Sequence, residues 1–570
     1  MKYRLIFRGD FLQQIHEYFY PVENFSMERF AVIFLAPSRT PRTRTLISAE
    51  LLIPEQDDYA DQGATGLVMK DGFVNRYYQY CADNSYSLLT LHSHPFDKSH
   101  SNFFSGIDDR SDHNQFSFFR LLVSDGFFVA GVMNSRKKLT VRVFDSRFPK
   151  SSGIEFDEIL YTGFPLKKEF PSKALPGVSS SNERVYDRQI RVFGREGQRQ
   201  MEMLRIGIVG VGGMGSVLIE ILARMGVRYF SLIDHDIADW TNLNRFTGMY
   251  ENDVQKKRPK VRIAKRLVKK INPLAKVSNI ETEVYSNRAV SALKQTDIIF
   301  LCTDNATSRD FINKFCIQYI TPCISLGSVI TCSRDTKEII SALGEVIVMV
   351  PGSNKDKFCL TCSGAINTDL LKLENAPGNL SERLHGYIHG DQEPAPAVRY
   401  LNGIVADLAA AEFHNLICNF KAPSLYQHIN LIPEKDVYDD FFLEDFENFL
   451  LYLLSEGIII SSNETLRHTL INELTWQDDE DGIIYIRKDI EKEIFKTISG
   501  DLSEKGIIAQ ERKDAFLEEI SLYFSSETTM TNGIVHLVDV KQEKNDCHIC
   551  GPMAFLMGQG DLVELKKFSY

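Results

Sequence analysis

The sequence has too few cysteines and too little positive charge for several common classes of protein. Only 10 of its 570 residues are cysteine, which excludes a disulfide scaffold at this length. Its formal net charge is −11, so the broad positive surface that binds nucleic acid is not expected. No apolar run reaches the roughly 18 residues of a membrane span, and the N-terminus lacks the apolar core of a signal peptide. These absences predict a cytoplasmic protein that binds neither nucleic acid nor membranes.

Length and residue pattern indicate an α/β protein of several domains. A chain of 570 residues exceeds what one hydrophobic core usually organises. Residues 1–165 alternate short apolar runs with polar turns, which predicts an α+β domain. Residues 166–182 combine Lys, Pro and Ser, which predicts a linker. Residues 183–435 follow the order strand, glycine-rich turn, helix, strand, which predicts a doubly wound, Rossmann-like domain. Residues 436–545 carry no chemical motif and are interpreted as an inserted domain.

The first chemical motif lies at the end of an apolar run in the N-terminal region. His92 and His94 flank one serine, and Asp108 follows about one loop later. Two imidazoles and one carboxylate give zinc three ligands and leave a fourth position for water, as in a catalytic site. A nearby carboxylate must then take a proton from that water. Glu50, inside a predicted strand, is the preferred candidate, and Glu55 is the alternative.

These residues resemble the motif of the JAB/MPN (JAMM) metallopeptidases, which is a Glu followed by H-x-H and then S-x-x-D. The matching positions are Glu50, His92, His94, Ser105 and Asp108. The resemblance covers roughly the first 165 residues, with a loop insertion before Ser105. It implies one catalytic zinc ion, oxyanion stabilisation by Ser105, and cleavage after the C-terminal glycine of a ubiquitin-like protein.

The second motif is a glycine-rich turn between an apolar strand and a helix. Its glycines are Gly210, Gly212, Gly213 and Gly215. Backbone amides at such a turn can approach phosphate closely, and the helix N-terminus favours negative charge. The turn alone is a weak signal, because nicotinamide and flavin enzymes have it as well.

Polar and charged residues after the turn favour adenylation over redox chemistry. They are Asp234, Asp236, Asn242, Arg245, Lys260 and Asp304. A carboxylate that attacks the α-phosphorus of ATP builds negative charge on phosphoryl oxygens and on pyrophosphate. Arg245 and Lys260 can neutralise that charge while Asp304 holds magnesium. Asp234 is placed for ribose hydroxyls, whereas Asp236 and Asn244 have the simpler alternative of capping or turning the chain.

This segment looks like the ubiquitin-activating-enzyme fold of the ThiF-type adenylyltransferases, from Tyr186 to about Phe420. The resemblance implies ATP and Mg²⁺ as cofactors. It assigns Asp234 to ribose and Asp304 to magnesium, with the Arg and Lys on the phosphates. It also implies that Arg188 reaches the ATP of a partner subunit, and therefore a homodimer.

Two CxxC pairs predict a second, structural zinc ion. They are Cys359 with Cys362 and Cys547 with Cys550, and four thiolates form a closed tetrahedral site. Because the second pair lies in segment 546–570, the inserted domain would be clamped by metal at both ends. The crossover segment after the first pair contains no cysteine, so either a partner's nucleophile attacks the adenylate directly or a hydroxyl such as that of Ser381 substitutes.

The expected function is adenylation of the C-terminal glycine of a ubiquitin-like protein, coupled to zinc-dependent trimming or removal of that protein. A conjugating enzyme is the expected partner, and family analogy points to a bacterial antiviral pathway. One alternative is activation of a sulfur carrier, which gives a thiocarboxylate. The other is a scaffold that binds modifier and conjugating enzyme with little turnover.

Overall fold

The chain contains two large sheets, each with its own helices. This computed structural model describes residues 1–21, 26–97, 103–148, 153–171, 180–332, 339–353, 359–374, 396–421, 424–431, 476–478 and 484–486. The chain divides into a unit of residues 1–331, 342–430 and 549–570 and a unit of residues 332–341 and 431–548. Among the described residues, no helix is long and apolar enough to cross a membrane.

The N-terminal region forms a nine-stranded mixed sheet. Its strands and those of a separate hairpin are β1 (Lys2–Arg8), β2 (Phe30–Arg39), β3 (Thr43–Leu52), β4 (Tyr59–Gln62), β5 (Leu67–Met69), β6 (Ser87–His94), β7 (Phe127–Asn134), β8 (Leu139–Asp145), β9 (Ile154–Glu155), β10 (Glu158–Thr162) and β11 (Lys167–Glu169). The sheet order is β11-β10-β1-β3-β2-β6-β7-β8-β9, and β4 pairs with β5. Strands β1, β3 and β6 run in one direction, because β2 is antiparallel to both β3 and β6.

Helices cover both faces of this sheet. Its helices are α1 (Gly9–Phe19), α2 (Asp71–Asn84) and α3 (Gly106–Leu122). Successive side chains of a strand point to opposite faces, so each strand contributes to two cores. Ile15 of α1 packs in the core that contains Ile33 of β2. Phe116 of α3 packs in the core that contains Val32. A turn of three residues, Gln56–Asp58, forms a 3₁₀ helix.

One boundary prediction in this region was wrong. The predicted linker 166–182 starts too early, because Lys167–Glu169 forms the edge strand β11 and Leu166 is buried. The error comes from tertiary contacts that composition does not encode.

The second sheet has seven strands in a doubly wound order. They are β12 (Arg205–Val209), β13 (Tyr229–Ile233), β14 (Lys276–Ile280), β15 (Ile298–Leu301), β16 (Cys323–Cys332), β17 (Ile339–Met349) and β18 (Tyr426–Asn430). The order is β14-β13-β12-β15-β16-β17-β18. The first five are parallel, and β18 is antiparallel to β17. This confirms the predicted Rossmann-like domain, whose short apolar strands are buried on both faces.

Among the residues that the structure describes, eight helices accompany the second sheet. They are α4 (Ser180–Met203), α5 (Gly213–Met225), α6 (Glu251–Gln255), α7 (Lys260–Ile271), α8 (Asn287–Leu293), α9 (Ala306–Tyr319), α10 (Thr368–Glu374) and α11 (Arg399–Cys418), with a 3₁₀ turn at Trp240–Asn242. The strand order reverses between β12 and β15, which opens a crevice at the carboxyl ends of these strands. In the second unit, β19 (Trp476–Asp478) pairs with β20 (Ile484–Ile486).

Five charged side chains join the two sheets. Arg4, Glu158 and Lys168 come from the first sheet, Arg205 begins β12, and Asp297 precedes β15. The fully buried Asp297 carboxylate accepts from Arg4 Nη2 at 2.7 Å and from Lys168 Nζ at 2.8 Å. It also accepts from the Arg205 amide at 2.7 Å. Burial alone would raise the pKa of this carboxyl, but Lys168, Arg205 and Arg4 hold the pKa well below its ordinary value.

Candidate functional site

The glycine-rich turn follows strand β12 as expected and leads into helix α5. Gly210 has φ of +88°, a left-handed conformation that glycine adopts without steric cost. A Cβ on Gly215 would lie 2.2 Å from the Gly210 carbonyl oxygen. Glycine at these positions therefore permits the tight turn and the close approach of helix to strand, which leaves the N-terminus of α5 open toward the crevice.

Asp234 lies at the end of β13, beside the glycine turn. Its carboxylate accepts from the Val211 amide at 2.6 Å and from the Asp236 amide at 2.8 Å. Burial raises its pKa, although Lys260 and the two amides oppose the shift. Lys260 Nζ lies 2.7 Å from Asp236 Oδ2. The side chain of Asp236 therefore orients Lys260, a role beyond the capping alternative given above.

These residues line one cleft of about 990 Å³ at the carboxyl ends of the strands. Of the predicted nucleotide-site residues, the lining includes Gly210, Gly212, Gly213, Asp234, Asp236, Asn242, Arg245, Lys260 and Asp304. Gly215 is packed behind the turn, and Arg188 is exposed on α4. Neither is part of the lining.

The cleft contains polar atoms without partners. Asn242 Oδ1 and Thr303 Oγ1 are buried and make no hydrogen bond to the part of the chain that the structure describes. Buried polar atoms are normally satisfied. Two of them in a cleft with a glycine turn, a Lys and an Arg fit a polyphosphate nucleotide better than an apolar ligand.

Two charged cleft residues were not predicted from the sequence. Arg309 on α9 lies 2.9 Å from Glu345 on β17, and both line the cleft. Arg309 also donates to the carbonyl oxygens of Thr303 and Ala365. The run CTDNATSR places Arg309 one helical turn after Asn305, the N-cap of α9, and that spacing was the available signal.

The second site is a cluster of His92, His94 and Asp108. The two Nε2 atoms lie 3.1 Å apart. Asp108 Oδ1 lies 3.2 Å from His92 Nε2, and Asp108 Oδ2 lies 3.7 Å from His94 Nε2. Two ligands of a tetrahedral zinc at 2.0–2.1 Å stand about 3.4 Å apart. The three side chains are partly exposed, so the donor set fits zinc with a position open to water.

Ser105 begins the helix that carries Asp108. Its Oγ accepts from the Asp108 amide at 3.2 Å, and its own amide donates to Asp108 Oδ2 at 2.6 Å, forming a capping box. Burial would raise the pKa of Asp108, but His92 and Ser105 lower it well below its usual range. Ser105 therefore orients the Asp108 carboxylate.

Glu50 does not join this cluster, and its prediction as the general base was wrong. Its carboxylate accepts from the hydroxyls of Tyr80 and Tyr86 at 3.0 and 3.2 Å. Glu50 pairs with Phe34 on β2, and Phe34 pairs with Leu88 on β6. Leu88 precedes His92 by four residues, so Glu50 is offset from His92 by about 13 Å along the strand direction.

Glu28 lies where Glu50 was expected, in the cleft beside the two histidines. It lines a cleft of about 650 Å³ together with His92, His94 and Asp108. The pairing of Phe30 with His92 brings it there. Burial raises its pKa, and His92 partly opposes the shift. The alternative, Glu55, starts a 3₁₀ turn instead and is exposed.

The first CxxC pair forms a compact knuckle. Cys359 is buried and Cys362 exposed, with the sulfurs 3.4 Å apart. Asn313 on α9 holds the loop through the Leu360 amide and the Thr361 hydroxyl. The predicted partners Cys547 and Cys550, and Ser381, lie outside the described residues, so the four-thiolate zinc site stays a prediction.

Comparison with known proteins agrees with the nucleotide cleft. Residues 186–438 match the ThiF family. The matched segment contains the residues that line the cleft described above. It begins and ends within three residues of the predicted domain 183–435, and the cluster of His92, His94 and Asp108 lies outside it.

Three curated relatives are similar over part of their length. The sulfur carrier protein ThiS adenylyltransferase of Bacillus subtilis is 28% identical over 30% of this chain and 47% of its own length. The molybdopterin-synthase adenylyltransferase of Salmonella typhimurium is 32% identical over 25% of this chain and 58% of its own length. The adenylyltransferase and sulfurtransferase MOCS3 of Culex quinquefasciatus is 30% identical over 28% of this chain and 36% of its own length. The chain thus spans less than two thirds of each. Among solved structures, Escherichia coli MccB with MccA-N7isoASN is 23% identical, with a TM-score of 0.36 over 44% of this chain and 69% of that one.

Proposed function

We propose that the chain adenylates the C-terminal carboxylate of a small carrier protein that is either a sulfur carrier or a ubiquitin-like protein. The observation that carries the proposal is the cleft in which the glycine turn, Asp234, Arg245, Lys260 and Asp304 meet. This set provides for ribose, polyphosphate and a divalent cation, whereas hydride transfer has no use for it.

In the proposed reaction a carboxylate oxygen of the carrier attacks the α-phosphorus of ATP. A new O–P bond forms, the bond to the β-phosphate oxygen breaks, and pyrophosphate leaves. Arg245 and Lys260 stabilise the negative charge on the phosphoryl oxygens and on the leaving group. Asp304 would hold Mg²⁺, which neutralises phosphate charge. The amides of the glycine turn orient the phosphates, and Asp234 the ribose.

The sulfur-carrier reading has at least as much support as the ubiquitin-like reading. The matched relatives include a ThiS and a molybdopterin-synthase adenylyltransferase. In addition, the chain has no cysteine between Cys362 and Cys418, where a thioester would form. Attack by sulfide on the acyl-adenylate would release AMP and give a thiocarboxylate, whereas attack by a partner's thiol or amine would release AMP and give a thioester or an amide.

We further propose that the N-terminal domain is a zinc peptidase for the same class of carrier. The separations among His92, His94 and Asp108 support it, together with Glu28 in the same cleft. Zinc would acidify a bound water and polarise the scissile carbonyl. Glu28 would take the proton of that water and return it to the leaving amine, and Ser105 would face the developing oxyanion.

ATP/pyrophosphate exchange tests the adenylation proposal. Wild-type chain and Asp304→Ala would be assayed with candidate sulfur-carrier and ubiquitin-like proteins, and mass spectrometry would read the carrier's C-terminus. Glu220→Ala removes a partly exposed carboxylate of the same domain and serves as the control. Exchange that is lost only in Asp304→Ala supports adenylation, and the product then distinguishes thiocarboxylate from conjugate. Absence of exchange with every carrier would favour a scaffold.

A carrier with a short C-terminal extension tests the peptidase proposal. Wild-type chain is expected to release the extension, whereas His92→Ala and Glu28→Gln do not. Glu50→Gln is the matched control, because Glu50 faces two tyrosines instead of the metal cluster. Loss of cleavage in Glu50→Gln with retention in Glu28→Gln would contradict the assignment.

We also propose a homodimer in which Arg188 reaches the ATP of the partner subunit. The exposed position of Arg188 on α4 is compatible with this role. Mixing Arg188→Ala with Asp304→Ala subunits is expected to restore part of the exchange activity, since one of the two sites in the mixed dimer would be intact. Inactive mixtures that nevertheless contain mixed dimers would contradict the proposal.

A further inference from the structure

The helix that carries Asp108 is attached to the sheet differently at its two ends. In its second half, Phe116 contacts Phe144 with ring centroids 5.2 Å apart, and Phe119 contacts Phe128 at 6.1 Å. These rings belong to one buried core. In the first half, Ile107 is exposed, and the ring contact with the core is that of His113 with Phe144, at 5.6 Å. The first turn, which carries Asp108, is held by a further, polar interaction.

Arg142 on β8 supplies that interaction. Its Nη1 donates to Asp109 at 2.6 Å, and its Nε and Nη2 donate to Asp112 at 3.0 and 2.5 Å. The guanidinium also lies 3.9 Å from the ring centroid of Phe104, which directly precedes the Ser105 cap. One side chain thus holds the residue before the cap, the first turn and the second turn of the helix.

The sheet register relates the position of Arg142 to the cluster of His92, His94 and Asp108. Arg142 is opposite Ala130 on β7, and Ala130 is opposite Thr90 on β6. Thr90 and His92 are two residues apart, so Arg142 and His92 project from the same face of the sheet. Ala130, the β7 residue between Arg142 and Thr90, has a small side chain.

Asp108 and Asp112 are one helical turn apart and share a face of α3. Arg142 pulls Asp112 toward the sheet, and Asp112 is 4% exposed. A helix is rigid over one turn, so a contact that fixes Asp112 also restricts the direction in which Asp108 projects. Asp108 lies 3.2 Å from His92.

We propose that Arg142 is a positioning residue of the zinc site, which holds the start of α3 so that Asp108 completes the ligand set of His92 and His94. The proposal rests on the zinc peptidase proposed above. Arg142 would not bind zinc itself. It acts on the position of Asp108 through its contacts with Asp109, Asp112 and Phe104. A lysine keeps the charge but lacks the planar fork that pairs with two carboxylates and stacks on a ring.

Zinc binding by the full-length chain tests this role without an activity assay. Metal-free wild type, Arg142→Ala, Arg142→Lys and His92→Ala would be titrated with zinc against a chelator, and the visible spectrum of bound Co²⁺ would be recorded. Zinc bound by wild type but not by His92→Ala defines the site. Arg142→Ala is expected to weaken binding at that site by about 10- to 100-fold and to change the Co²⁺ spectrum, and Arg142→Lys is expected to recover little.

Arg147→Ala is the matched control. Arg147 pairs with Asp145 at the end of β8 and stacks on Phe127, away from the cluster. Its zinc affinity should equal that of wild type. Affinity of Arg142→Ala within about twofold of wild type, with the same Co²⁺ spectrum, would overturn the inference.

A second variant keeps the test decisive if Arg142→Ala fails to fold. Asp109 is largely exposed, so Asp109→Asn removes one arm of the grip without opening the core. A severalfold loss of zinc affinity in Asp109→Asn supports the inference, and unchanged affinity overturns it. If wild type and His92→Ala bind the same amount of zinc, the zinc site itself is wrong and the role of Arg142 falls with it.

Discussion

Replacement of Asp297 by Asn tests how the two sheets are held together. In the native cluster, three cations surround two carboxylates, and the substitution leaves Glu158 alone against Arg4, Lys168 and Arg205. The side chains of Arg4, Lys168 and Asp297 are at most 2% exposed. Removing one partner of a buried ion pair costs about 3–5 kcal/mol, because the remaining charge stays buried. We expect that loss in Asp297→Asn.

Hydrogen exchange of peptides from β1 and β12 is the appropriate assay, because unfolding of a chain with several domains need not be two-state. A loss of 3–5 kcal/mol corresponds to exchange that is roughly 10²- to 4 × 10³-fold faster. The control is Glu220→Gln, whose partner Arg224 is 64% exposed and whose loss should cost at most about 0.5 kcal/mol. If both variants exchange alike, the cluster contributes no more than a surface pair.

The effect of Asp297→Asn depends on pH with a definite sign. The pKa of Asp297 is lowered in the folded chain, so its stabilisation is complete above the unfolded value of about 3.9. It is lost as the pH falls through the lower folded value. The difference between wild type and Asp297→Asn should therefore be largest at neutral pH and shrink under acid conditions. A difference that grows toward low pH would contradict the charge assignment.

Three further outcomes follow from the two sites. Arg245→Ala should lower the rate of ATP/pyrophosphate exchange by roughly 10²- to 10³-fold while leaving zinc content unchanged. Gly215→Ala should abolish nucleotide binding and lower the melting temperature, because its Cβ would meet the Gly210 carbonyl oxygen at 2.2 Å; a variant that binds ATP normally would contradict this. Glu28→Gln should lose peptidase activity but bind zinc as tightly as wild type, whereas loss of the metal would make Glu28 a ligand instead of a base.

Local sequence patterns predicted the parallel sheet and the phosphate turn well. Both depend on contiguous residues, namely short apolar strands and glycines whose backbone geometry is fixed within a few positions. His92, His94 and Asp108 were also predicted together, since a strand end and one following helix cap bring them close. Each of these features needs little knowledge of the distant parts of the chain.

The errors concern residues whose role depends on distant pairing. Glu50 lies within a strand and looked well placed, but the register of β2 against β6 carries Glu28 to the cluster instead. Lys168 made its segment look solvated, yet its ammonium is buried against Asp297, which lies 129 residues later. A sequence read locally cannot supply either contact.

The junction between the two sheets lies at a definite position along the strands of each sheet. Arg4 is near the amino end of β1, and the strand pairings place it level with Ser38 on β2. Phe30, the β2 residue that pairs with His92, is eight residues from Ser38, or about 26 Å along the strand. Arg205 starts β12, whereas the phosphate turn follows the other end of that strand. The junction therefore lies at the end of each sheet that is remote from its candidate site. For the two proposed activities, we expect trimming and activation to be two separate encounters, so a labelled precursor chased with excess unlabelled trimmed carrier should yield almost entirely unlabelled adenylate.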